Sequence, residues 1–172
     1  MRKRTRVITI SALFSALSVL FLYIASIWPT GRFGLAALAS LFVAAAVIES
    51  GLGAGIYVYI VSSIISMLIL PIRTAPFLFL LFFGYYPVIK SLIERIGPKP
   101  LQWALKLLVF NASLSAIFFL LSGIVFGQDY ILPGVHVAYF GGNVVFVLFD
   151  YGFTKVIWLY IERVSKFLKK DM

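Results

Sequence analysis

The chain has 172 residues, 62% hydrophobic and 12% charged, with a formal net charge of +9 and a mean hydropathy of +1.06. A water-soluble domain of this length cannot hide so much apolar surface, whereas a bundle of membrane-spanning helices presents it to lipid. With no cysteine in the chain, disulfides, thiolate metal sites and cysteine nucleophiles are excluded.

Six apolar stretches follow in chain order: Val7–Trp28, Phe33–Glu49, Leu52–Leu70, Pro76–Ile93, Leu101–Phe126 and His136–Ile161. Each approaches or exceeds the ~17–25 residues that cross a hydrocarbon core. They predict an all-α integral membrane protein, a compact bundle of six transmembrane helices in one domain over 1–172. The first stretch follows a basic start but is too long for a signal-peptide core and lacks a small-x-small exit, so it reads as an uncleaved helix. Trp28-Pro29-Thr30-Gly31 reads as an interfacial anchor and turn. This first helix carries Ala12-x-x-x-Ala16 among Ser11, Ser15 and Ser18, and small residues four apart share a face that admits a second helix. Ala36, Ser40 and Ala44 make a similar face in the second stretch. Gly51 to Gly55 gives a tight turn into the third. In the fourth, Gly84-Tyr85-Tyr86-Pro87 predicts a kink, because the proline removes a backbone donor.

Charge placement orients the bundle. Arg2, Lys3, Arg4 and Arg6, then Lys90, Arg95, Lys99 and Lys106, then Arg163, Lys166, Lys169 and Lys170 all fall at the end that carries the N-terminus. Arg32 and Arg73 fall at the other end. The positive-inside rule therefore predicts a multi-pass protein of the plasma membrane with both termini cytoplasmic. The net charge is a topology signal, and no nucleic-acid partner is expected. Asp150 and Lys155 are the deepest ionisable groups; five residues rotate them ~140° apart, off a common face. Asp150 is expected to face the interior with Asn111 as its partner, and Lys155 to snorkel towards the surface.

A basic start leading into Ala12-x-x-x-Ala16 on the first of six helices, the Pro29-Thr30-Gly31 exit, the glycine-rich turn at Gly51–Gly55 and the size together resemble the substrate-binding S components of energy-coupling factor (ECF) transporters. The resemblance covers the whole chain in architecture. It implies that Ala12 and Ala16 dock on a membrane T (coupling) component, that two ABC ATPases energise the module, and that this subunit alone binds the solute. The ligands of that family, mostly vitamins, their precursors and some metal ions, lie in the outer half of the bundle.

By chemistry and depth, the expected substrate-binding residues are Trp28, Arg32, Arg73, Asp129, Tyr130, His136, Tyr139 and Asn143. The arginines suit an anion, and Trp28 and Tyr139 suit a flat ring. His136 is the only histidine and makes no metal site with one aspartate, so neither metal nor cofactor is expected. An enzyme is the least supported class, since no nucleophile-base pair, paired acids or Walker motif is present. Two other readings stay open. One is a structural protein of the rod-shape complex D type, which needs no ligand pocket. The other is an ion-coupled carrier, which requires Asp150 to titrate.

Overall fold

The computed structural model describes residues 2–125 and 135–165, and these are helical with no strand among them. The helices are α1 (Arg2–Ile27), α2 (Arg32–Ser50), α3 (Leu52–Ile69), α4 (Thr74–Leu78), α5 (Tyr86–Ile93), α6 (Lys99–Val125) and α7 (Val135–Tyr160). With α4 and α5 counted as one broken span, six helical segments are long and apolar enough to cross a membrane. They match the six predicted stretches. Short connections make consecutive segments antiparallel, so α2 ends, and α3, α6 and α1 begin, at one end of the bundle.

α2 is the central helix, packed by α1 and α3 on one side and by α4, α5 and α7 on the other. Its composition explains this, because Ala36, Ala39, Ser40 and Ala44 to Ala46 are all buried and let neighbouring backbones approach. The serines of α1 face the same interior. Ser18 Oγ donates to Ala39 O at 3.1 Å, and Ser62 Oγ of α3 donates to Ser15 O at 3.4 Å. At the far end Ser26 Oγ reaches Ile72 O at 3.1 Å. The turn between α2 and α3 needs glycine, since Gly51 has φ 90°. One turn on, a Cβ at Gly55 would lie 2.3 Å from Val47 Cγ2.

The fourth span breaks as the proline implies. α4 runs into a π-helical turn over Phe79–Phe83, then Gly84 and Tyr85, before α5 restarts with Pro87 in its first turn. Pro87 has no N–H to offer the preceding turn, and its ring disfavours a regular helix there. Gly84 N–H reaches back five residues to Phe79 O at 2.7 Å, and Tyr59 of α3 donates to the neighbouring Leu80 carbonyl at 3.0 Å. Gly84 is required by space. A Cβ there would sit 2.6 Å from the Tyr59 ring, 2.7 Å from the Phe79 ring and 2.8 Å from the Phe79 carbonyl. Gly84→Ala should therefore cost about 1–3 kcal/mol by overpacking, measured as a lower thermal unfolding midpoint in detergent. An unchanged midpoint would mean that the broken turn relaxes freely.

Two cores result. Leu22, Val43, Val58 and Phe79 form one among α1, α2 and α3. Phe82, Tyr86 and Phe146, with Phe110 and Phe149 against them, form an aromatic core among α5, α6 and α7.

Candidate functional site

The second core frames a cavity of about 490 Å³ between α2, the fourth span, α6 and α7. That volume is within the range of small-molecule sites, roughly 300–1,000 Å³. It lies towards the end opposite the N-terminus, because Phe33 and Gly34 open α2, Leu78 closes α4 and Gly142 is early in α7. Phe82, Phe110 and Phe146 make its inner wall, with Phe110 and Phe146 stacked at 4.5 Å and 11° and Phe82 edge-on to both. Among the described residues the lining is apolar apart from Ser113, whose hydroxyl is taken up by Val109 O at 2.7 Å and by Tyr85 OH. Gly34 lines the cavity, and a Cβ there would meet no atom within 4 Å.

Tyr86 joins this aromatic layer to a buried charge cluster. Its ring lies 5.0 Å from Phe82 and 5.6 Å from Phe146, and its hydroxyl donates to Asp150 Oδ1 at 2.6 Å. Lys90 of α5 also donates to Asp150 Oδ1, and Lys106 of α6 donates to Oδ2 at 3.0 Å. Both ammonium groups then share Glu94 Oε1, at 2.8 Å from Lys90 and 2.7 Å from Lys106. The four groups close a ring of alternating sign with no net formal charge. Asp150 and Lys90 are each 2% exposed and Lys106 5%, so each charge is compensated by contact rather than by water. Glu94, just past α5, is the member that reaches the surface. Burial acts to raise its carboxyl, but the hydrogen bonds from Lys106 and Lys90 outweigh this and hold it below the usual carboxylate range.

This ring corrects the expected pairing of Asp150 with Asn111. Asn111 and Asn143 instead pair reciprocally, at 2.9 and 3.0 Å, and bind α6 to α7. Lys90 and Lys106, read from sequence as part of the basic end segments, are interior groups. Lys155 stays apart from Asp150, with its ammonium 5.5 Å from the centre of the Tyr151 ring on the exposed face.

The expected ligand residues scatter. Trp28 and His136 are exposed, and Arg73 is exposed in the connection before α4. Arg32 is half-buried at the start of α2, and its Nε has no hydrogen-bond partner among the described residues. Tyr139 OH is bonded to Ser115 Oγ at 2.7 Å, so it and Asn143 serve the α6–α7 contact. None of these six lines the aromatic cavity. Asp129 and Tyr130 lie outside the described residues.

Ala12 and Ala16 are exposed on α1, while Ser11, Ser15 and Ser18 are buried. At 100° per residue the two stripes lie roughly 100° apart around the helix. Among the described residues the alanine face therefore has no partner. Among the described residues there is no cluster of three or more His, Asp or Glu side chains suited to a metal ion. No known protein family, curated protein or solved structure matches this chain.

Proposed function

We propose that the protein is the substrate-capture subunit of an ECF-type importer, a multi-pass protein of the plasma membrane with both termini in the cytoplasm. The observation that carries this reading is the separation of two features: a cavity in the half of the bundle away from the basic end, and an unpartnered small-residue stripe on α1. In this scheme the cavity takes solute from the outer side. The Ala12–Ala16 stripe docks on a membrane coupling subunit, and two ABC ATPases supply the energy that tips the bundle and releases the solute inside. The orientation rests on the basic residues. Lys90 and Lys106 are neutralised in the charge ring and drop out of the count, yet the bias from the two termini, Arg95 and Lys99 remains. The cavity also favours capture over the rod-complex structural alternative, which needs none. An ion-coupled carrier is less favoured because Asp150 is held by two ammonium groups and a phenol rather than left free to load and unload.

Purification of the tagged protein from its native membrane in mild detergent tests the proposal. A membrane coupling subunit and two ABC ATPases should co-purify. Recovery of cell-wall or cytoskeletal proteins in their place would overturn it in favour of the structural role.

A further inference from the structure

We infer that the solute is an uncharged, lipid-soluble molecule built on a ring system, and that it enters the cavity sideways from the outer leaflet of the bilayer. The inference takes the protein to be a capture subunit, as proposed above, and specifies what it captures. The walls leave little room for another chemistry. The Ser113 hydroxyl is already engaged by Val109 O and Tyr85 OH, so among the described lining side chains a ligand finds no free hydrogen-bond donor. A buried ionised group without a partner is strongly unfavourable, so a charged ligand does not belong there. Arg32 and Arg73, the cations that would recognise an anion, are not part of the lining.

The inner wall favours rings over flexible chains. Phe33, Phe83, Phe110 and Phe149 line the cavity and keep part of their rings exposed, and a ring in the ligand gains beyond its buried area by packing on them. The rim is apolar as well. Phe33 is 68% exposed and Val145 64%, so the mouth is wetted by hydrocarbon and not lined for water. The opposite wall is kept thin by Gly34 and Ala37, one turn apart on α2. An acyl chain of a bilayer lipid shares the hydrocarbon chemistry but has no use for the ring wall.

Radiolabelled phenylnaphthylamine and its charged counterpart, anilinonaphthalene sulfonate, differ by one sulfonate and separate the possibilities. Each would be titrated into bilayer nanodiscs with and without the full-length protein. Saturable binding of the uncharged probe above the empty-disc background is expected, with the sulfonate at least about tenfold weaker. Gly34→Leu, which adds a bulky side chain at a lining position with space for it, should weaken the uncharged probe to a similar degree while leaving the helix content unchanged. On the wild-type chain, excess phenylnaphthylamine should also protect peptides containing Phe110 and Phe146 from an uncharged aryl diazirine.

Sulfonate binding as tight as that of the neutral probe, lost on Arg32→Ala, would overturn the inference. So would no saturable probe binding, or labelling of the same peptides by a diazirine-tagged phospholipid that the probe fails to displace. The two proposals fail separately. Probe binding without a co-purifying coupling module sinks the importer reading alone, and the module without probe binding sinks the ligand class alone.

Discussion

Replacing Asp150 by Ala should destabilise the fold by about 3–5 kcal/mol, the loss expected when one member of a buried ion cluster is removed. The reason is what stays behind. Lys90 and Lys106 would remain buried with only the Glu94 carboxylate between them, and the Tyr86 hydroxyl would lose its acceptor. Glu94→Gln should cost less, because that side chain is 40% exposed and water can replace part of what is lost. Removing a matched pair should be milder than removing Asp150 alone. In the double variant Lys90→Met with Asp150→Leu, Lys106 keeps Glu94, and apolar replacements of buried ion pairs are often neutral. Thermal unfolding of the four proteins in one detergent gives the order. A midpoint for Asp150→Ala equal to that of the wild type would show that the ring contributes nothing to stability. Acid acts on the same element. Because the Glu94 carboxyl is held low, its contribution is complete above the ordinary carboxylate range and is lost as pH falls through its lowered value. The wild-type midpoint should therefore hold from neutral pH down to that range, then fall as the pH passes from it to the lowered value.

The spans, their number and the break at Pro87 were legible because length, hydropathy and a missing backbone donor act locally. The charge ring was legible only in part. Lys106, Phe110, Ser113 and Ile117 recur on α6 at three- and four-residue steps, as Asn143, Phe146, Asp150 and Phe153 do on α7. These are single faces of helices, so Lys106 and Asp150 stand among the aromatic side chains that α6 and α7 present to each other. Reading Lys90 and Lys106 by proximity to the basic loops missed this, although Lys106 lies seven residues, about 10 Å, inside α6. Pairing across α5, α6 and α7 could not be read at all, because separations of 44 and 60 residues depend on how the helices rotate. The cavity was hidden for a different reason. Lipid-facing and buried positions are both apolar here, so phenylalanines that line a pocket look like those that meet acyl chains. Polar residues near the loops are the only conspicuous chemistry in such a sequence, and the structure gives two of them, Tyr139 and Asn143, to the seam between α6 and α7.

The Ala12–Ala16 stripe carries the second large expected effect. Ala12→Trp and Ala16→Trp should each reduce recovery of the coupling subunit and its ATPases to background, while the protein itself remains folded. Small residues at a helix interface act by letting two backbones approach, and an indole between them forces the axes apart. In the isolated bundle the same indole points away from the interior, since both alanines are exposed. The unfolding midpoint and phenylnaphthylamine binding should therefore be unchanged. Ser15→Trp is the contrasting control on the same helix. Ser15 is buried against α3, where its carbonyl accepts from Ser62, so an indole there should lower the midpoint and disturb the bundle generally. Ala12→Gly should preserve the assembly, because it keeps the close approach. If both tryptophan variants still bring down the coupling module in full, α1 does not dock through this face. If they lose probe binding together with the module, the stripe and the cavity are not separate devices, and the division of labour proposed for the two ends of the bundle fails.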